Sequence, residues 1–209
     1  ISVTGFDLGY YRKLARNGFE SPDNLQPIRR WTQPQRIYIR SVDEATEPVD
    51  TSLLSMAERA ARDLSLDWGP WITVASVDIG PETHEGQAGW VTVKWLNPAV
   101  DGLCGRASIG GSVIELNPRR RECSCNRTQG VEPRLVRHEF GHAIGFYHTD
   151  DVQDVLFGST FPCSTRDLRP SARERVYAAI TYTRPVGNRD PDTDPQGQAF
   201  LEPQRMVVD

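Results

Sequence analysis

The sequence predicts an α/β (α+β) fold built on a mixed, twisted sheet. Three segments have the composition of β-strands: RIYIR from Arg36, WITVASVDI from Trp71 and WVTVKWL from Trp90. The first and third of them alternate apolar and polar residues, as half-buried strands do. A helical pattern from about Thr51 to Leu66 lies between the first two strands, so at least one connection in the sheet is a helical crossover. A chain of 209 residues is long enough for one domain with a substantial core.

Two amphipathic helices are predicted from apolar residues at helical spacing. In the helix from Thr51 to Leu66 the apolar stripe consists of Leu53, Leu54, Ala57, Ala60, Ala61 and Leu64. A C-terminal helix is expected from about Ser171 to Thr181. Its expected core positions are Ala172, Val176, Ala179 and Ile180.

The segment after the third strand permits two interpretations. Residues Arg106 to Ile109 and Ser112 to Leu116 both have strand character, and Gly110 and Gly111 separate them. They form either two short strands or one strand interrupted by a bulge. Both alternatives stay open from the sequence.

The two ends of the chain lie outside the predicted domain, residues 35–184. Residues 1–34 have a mixed composition with several prolines, which predicts an extended lead-in with no assignable function. Residues 185–209 are Pro-rich and acidic, typical of a strap over the domain or a linker. Their acidic positions are spaced as in a calcium loop: Asp190, Asp192 and Asp194. However, Pro195 replaces the turn glycine and no glutamate closes the loop, so the motif does not support Ca²⁺.

Charge and hydropathy exclude several classes of partner. The formal net charge is -4, and arginines are interspersed with acidic residues rather than grouped in basic blocks, so we expect no nucleic-acid partner. No window approaches the roughly 18 apolar residues of a membrane helix, and the first residues lack a signal-peptide core. We therefore expect a mature chain without a membrane partner, and a monomer by default.

The four cysteines indicate an oxidising compartment. They form an even set without a CxxC pair, which favours two disulfides and a secreted, extracellular or periplasmic protein over one with four buried thiols. Cys123 and Cys125 are poorly placed to bridge each other, so each is expected to reach Cys104 or Cys163. Two connectivities stay open.

The string HEFGHAIGFYH, from His138 to His148, has the pattern of a metal site. Residues four apart lie on one face of a helix, so His138 and His142 offer two imidazole nitrogens to a single ion. Glu139 follows the first ligand and is placed to take a proton from an attacking water rather than to bind the metal. Gly145 permits a positive φ that turns the chain off the helix and brings His148 back. Three imidazoles and one open position predict a catalytic zinc ion, Zn²⁺.

At these residues the chain resembles the metzincin clan of zinc metallopeptidases, whose signature is HExxHxxGxxH. In matrixin-like members the methionine of the turn beneath the metal comes eight positions after the third histidine, and here that position is Leu156. The resemblance implies a two-lobed catalytic domain, with an upper lobe of about residues 35–145 and a lower lobe of about residues 146–184. It also implies a substrate cleft. The residues expected to line that cleft are Arg106, Ala107, Ser108, Ile109, Phe157 and Gly158.

The predicted function is that of a secreted zinc-dependent endopeptidase that hydrolyses a protein or peptide substrate. Zinc polarises the scissile carbonyl, and Glu139 acts as general base. Two alternatives are a non-catalytic zinc-binding relative, which the leucine at residue 156 motivates, and a zinc hydrolase of a non-protein amide.

Overall fold

A computed structural model describes residues 6–96, 103–125, 130–158 and 169–188, and within them five strands form one mixed sheet. The strands are β1 (Gln35–Arg40), β2 (Val74–Gly80), β3 (Trp90–Trp95), β4 (Gly105–Ala107) and β5 (Val113–Leu116). Their spatial order is β2-β1-β3-β5-β4. β1 runs parallel to β2 and β3, β3 runs parallel to β5, and β4 is antiparallel to β5 at the edge. The predicted α/β class with a mixed sheet is confirmed.

The helices are α1 (Leu8–Arg16), α2 (Thr51–Arg62), α3 (Leu64–Trp68), α4 (Pro133–Ala143) and α5 (Ala172–Thr183). The two-strand alternative for residues 106–116 is correct, since β4 and β5 are separate strands joined through the turn at Gly110, whose φ is +61°. The single helix expected from Thr51 to Leu66 is divided in two. Asp63 ends α2, and its backbone N–H bonds back to the carbonyls of Ala61 and Arg59.

The prediction of an extended lead-in at residues 1–34 is wrong for residues 8–16, which form α1. Asp7 caps this helix, with its side chain accepting the Tyr10 N–H at 3.0 Å. One face of α1 is buried: Tyr10, Tyr11, Leu14 and Ala15. Two of these four core residues are tyrosines, whose rings bury a large apolar area although their hydroxyls are polar. The helix ends at Asn17, which has a φ of +60°.

The core face predicted for the C-terminal helix is wrong at two of its four positions. Val176 is 48% exposed and Ala172 is exposed as well, whereas Ile180 packs against the core as predicted. The buried positions of α5 are instead Glu174, Tyr177, Ala178, Thr181 and Tyr182. The tyrosines determine this orientation, because Tyr177 packs edge-on against Tyr10 and the Tyr182 hydroxyl donates to the Ile144 carbonyl at 2.7 Å.

A buried ion pair and a ring contact attach α4 to the neighbouring helices. The Arg137 guanidinium donates to Asp67 at 3.0 Å, and these side chains are 4% and 1% exposed. Trp68 stacks on Phe146 with ring centroids 5.1 Å apart. These contacts hold the predicted metal-binding helix firmly against α3.

A disulfide joins Cys104, just before β4, to Cys123. Cys125 is also disulfide-bonded, and Cys163 lies outside the described residues, as do the predicted calcium positions Asp190, Asp192 and Asp194. Among the described residues, every helix is too short or too polar to span a membrane.

Candidate metal centre

The local structure of α4 brings two of the predicted ligands together. Pro133 occupies the first turn, where its missing N–H costs no hydrogen bond. His138 and His142 then lie one turn apart on the same face. The helix ends at Ala143, and Gly145 follows with a φ of +115°. A β-carbon at Gly145 would lie 1.8 Å from the Arg29 carbonyl oxygen, so only glycine allows the chain to turn here.

The three histidines converge through their Nε2 atoms. The Nε2 of His142 lies 3.0 Å from that of His138 and 3.1 Å from that of His148, and the third separation is also 3.1 Å. Two nitrogens bound tetrahedrally to zinc at about 2.0 Å are separated by about 3.3 Å, which is close to these distances.

The Nδ1 atoms of the three rings face oxygen acceptors. His138 Nδ1 is 2.8 Å from the Val155 carbonyl, and His142 Nδ1 is 2.8 Å from the Phe146 carbonyl. His148 Nδ1 contacts the Glu20 carboxylate. A carbonyl only accepts hydrogen bonds, so Nδ1 carries the proton and Nε2 is left with a lone pair. Three lone pairs this close repel one another unless a cation lies between them, so the donor set fits a metal ion such as zinc.

Burial keeps two of these rings neutral. Desolvation, together with the neighbouring histidines, lowers the pKa of His138 well below its ordinary value and that of His142 to about 3. Neutral imidazole is the form that binds metal, so the centre is prepared for a cation near neutral pH.

Glu139 lies beside the histidines in a buried position. Its side chain is nearly inaccessible, and its Oε2 finds no hydrogen-bond partner within the described part of the chain. Burial raises the pKa of Glu139 to about 8. A β-carbon at Gly105 would lie 2.7 Å from Glu139 Oε1, so the carboxylate occupies space that the glycine leaves at the start of β4. A buried carboxyl group with an unsatisfied oxygen, next in sequence to a candidate metal ligand, is suited to proton transfer.

Leu156 is fully buried beneath α4. A β-carbon at Gly141 would come 2.9 Å from Leu156 Cδ2 and 2.9 Å from the Trp68 ring. The absence of a side chain at Gly141 therefore leaves room for both neighbours. The Thr149 N–H donates to the Leu156 carbonyl at 2.8 Å, which closes the turn that follows His148.

A buried carboxylate from α5 holds this turn from the other side. Glu174 accepts backbone N–H groups from Val155 at 3.0 Å and Leu156 at 2.9 Å, and a third from Ser171 at 2.7 Å. Val155 in turn presents its carbonyl to His138. A chain of hydrogen bonds therefore links α5 to His138, a candidate metal ligand, through the turn.

Four of the residues predicted for the cleft lie on β4 or in the turn that follows it. Arg106 is exposed on the edge strand and pairs with Glu115 of β5. Ala107 ends β4, and Ser108 and Ile109 belong to the following turn. The Gly110 N–H donates to the His142 carbonyl at 2.9 Å, which ties this turn to the end of α4.

The remaining predicted cleft residues flank the third histidine. A β-carbon at Gly158 would lie 2.7 Å from the His148 β-carbon and 2.6 Å from the Phe19 ring. Phe157 lines a cavity of about 570 Å³ together with residues of α1 and of the loop at residues 150–152. None of the three histidines lines that cavity. Residues 159–168, which follow Gly158, lie outside the described residues.

The sequence patterns missed several residues around this centre: Phe19, Glu20, Gly141 and Glu174. No local signal marks Glu20, because it meets the centre across 128 residues. Glu174 is marked as the capping-box partner of Ser171 in the string SARE, but no local pattern indicates its contacts with Val155 and Leu156, 18 or 19 residues away. Gly141 lies inside the HEFGH string, and a glycine within a helical pattern is a signal of close packing against another element.

The comparisons with known proteins identify the fold. No family model matches the chain, and no curated protein matches it by sequence. The chain is similar to the solved structure of archaemetzincin from Methanopyrus kandleri, with a TM-score of 0.50 and 13% sequence identity. The match covers 73% of this chain and 97% of the archaemetzincin chain. The chain therefore has a metzincin-like fold, in which a mixed five-stranded sheet and helix α4 carry a three-histidine centre.

Proposed function

We propose that this protein is a zinc-dependent endopeptidase of the metzincin type. The observation that carries the proposal is the convergence of three Nε2 atoms, all within 3.1 Å of one another, beside a buried carboxylate that has an unsatisfied oxygen. The ligands would be His138, His142 and His148, within the signature HExxHxxGxxH. The metzincin-like fold supports the same conclusion.

Three histidines leave a fourth position at the metal for water or substrate, whereas a structural zinc site is normally closed by a fourth protein ligand. Bound zinc supplies Lewis acidity, which polarises a carbonyl and makes water more acidic. Glu139 is the residue proposed to take the proton from the attacking water and to deliver it to the leaving amine. Its buried Oε2 is unsatisfied among the described residues, which leaves this oxygen available to accept a proton.

The edge strand β4 supports a peptide rather than a small amide as the substrate. Among the described residues, β4 pairs with β5 and is the last strand of the sheet. Its first residue, Gly105, lies against Glu139. An extended peptide that adds to this side of the sheet would pass next to the proposed base. The disulfide between Cys104 and Cys123 supports a secreted or periplasmic setting.

The proposal is tested by metal content and cleavage of a denatured protein, before and after treatment with 1,10-phenanthroline and zinc add-back. We expect about one zinc per chain and internal cleavage that the chelator abolishes and zinc restores. Bound zinc without cleavage of any peptide in an unbiased library would instead favour a non-catalytic binding module or a hydrolase of another amide. Absence of zinc binding would contradict all three functions.

A further inference from the structure

The third histidine differs from the other two in the acceptor that it meets. His138 and His142 are 6% and 7% exposed, and their Nδ1 atoms face backbone carbonyls. The side chain of His148 is 31% exposed, and its Nδ1 meets the carboxylate of Glu20. The ligand least constrained by packing is therefore the one that has a charged partner.

The backbone of the N-terminal segment determines where Glu20 lies. The Tyr147 N–H donates to the Leu14 carbonyl of α1 at 2.8 Å, directly beside His148. Asn17 ends α1 with a positive φ, and its carbonyl accepts the Ser21 N–H at 3.0 Å. The turn between them contains Glu20 and directs it to His148.

Two side chains reinforce this attachment. The Phe19 ring and the His148 β-carbon both lie against Gly158, so the residue before Glu20 packs on the glycine that adjoins the third histidine. Lys13 forms an ion pair with Asp150 at 2.6 Å, two residues after His148. Glu20 is thus held by a helix whose end is anchored on both sides of the third histidine.

A carboxylate at Nδ1 affects an imidazole ligand in two ways. It fixes the proton on Nδ1 and the orientation of the ring, and its negative charge makes Nε2 a stronger donor to a cation. Carbonyls at His138 and His142 provide the first effect but carry no net charge.

We propose that Glu20 is a positioning residue of the metal centre, through which the N-terminal segment orients His148 and increases zinc affinity. This inference rests on the proposed function, since it requires zinc on the three histidines. It assigns a role in the site to residues that precede the sheet.

The experiment compares the full-length protein with the variants E20A and E20Q, with D23A as a matched control. Asp23 is an exposed acidic residue of the same segment, so its removal changes the net charge equally. Two quantities are measured: the zinc dissociation constant, by competition with a chromophoric chelator, and the imidazole N–H resonances of the zinc-loaded protein.

We expect E20A to raise the zinc dissociation constant about 10–100-fold, the usual effect of losing such a partner. The Nδ1–H resonance of His148 should be lost to solvent exchange, while those of His138 and His142 persist. In E20Q the amide oxygen still accepts the hydrogen bond, so this resonance should remain and affinity should fall less. D23A should match the wild type in both measurements.

The inference is overturned if E20A binds zinc as tightly as the wild type, or if D23A weakens binding as much as E20A. In either case the wild type still binds zinc and cleaves protein, so the proposed function stands. If the wild-type chain binds no zinc, the proposed function fails together with the inference. Circular dichroism of E20A and E20Q establishes that a loss of affinity occurs in folded protein.

Discussion

Leu156 lies directly against Gly141 of the metal-binding helix, so that a β-carbon at residue 141 would come 2.9 Å from Leu156 Cδ2. The resemblance in the sequence leads us to expect methionine at this position, and methionine and leucine have similar volume and apolarity. The absence of a side chain at Gly141 gives the leucine room beneath the helix. The leucine therefore packs against the helix that carries His138 and His142.

This contact predicts a larger loss of stability for one substitution than for another. Gly141→Ala should lower the free energy of unfolding by about 1–3 kcal/mol, because the new methyl group meets Leu156 and the Trp68 ring. Leu156→Met should change it by less than about 1.5 kcal/mol and leave zinc binding intact. Urea unfolding and zinc content provide the measurements. Equal stability of the wild type and Gly141→Ala would show that this packing is looser than described.

Gly105→Ala should damage activity without removing the metal. The added β-carbon would lie 2.7 Å from Glu139 Oε1, so the carboxylate must move, whereas the histidines are untouched. Displacement of a reacting group by about 1 Å costs on the order of 100-fold in rate, so we expect kcat/KM to fall by about that factor. Zinc content should stay at the wild-type level. Unchanged peptidase activity in the variant would argue against a role for Glu139 beside Gly105.

Glu139→Gln should retain zinc and lose turnover. The amide has nearly the same shape but cannot accept a proton from water, so kcat should fall by about 100- to 10,000-fold. Zinc content measured on the same preparation separates this effect from loss of the metal. A fully zinc-loaded Glu139→Gln protein with wild-type peptidase activity would contradict the assignment of Glu139 as general base.

Asp67→Ala should destabilise the protein by about 3–5 kcal/mol, because it leaves the buried Arg137 guanidinium without its main partner. Arg137 precedes His138 on α4, so zinc affinity should fall together with the stability of the protein. The matched control is Glu58→Ala, which removes an exposed ion pair with Arg62 and should cost at most about 0.5 kcal/mol. Similar unfolding midpoints for the two variants would disprove the proposed importance of the buried pair.

Glu174→Ala should weaken both folding and metal binding. It leaves the Val155 and Leu156 N–H groups without their acceptor, and each unsatisfied buried N–H costs about 1–3 kcal/mol. Movement of Val155 also disturbs the carbonyl that orients His138, so the zinc dissociation constant should rise. Arg175→Ala, an exposed change on the same helix, serves as the control and should leave both quantities unchanged.

The elements of the fold that were predicted correctly depend on short-range patterns. β1 and β3 alternate apolar and polar residues, and α4 begins near a proline and ends just before a glycine. The N-terminal helix was missed, and the face of α5 was predicted incorrectly at Ala172 and Val176. In both cases tyrosines form part of the core, and a pattern that counts only aliphatic residues does not detect them.

The sequence by itself determined which residues were candidates for the metal centre, because helical periodicity puts His138 and His142 on one face and a glycine lets the chain return. Only the tertiary structure decided what surrounds them. Glu20 meets His148 across 128 residues, and Gly105 meets Glu139 from another element. No local period relates such distant positions. Their contacts arise only when sheet, helices and N-terminal segment pack around a common core.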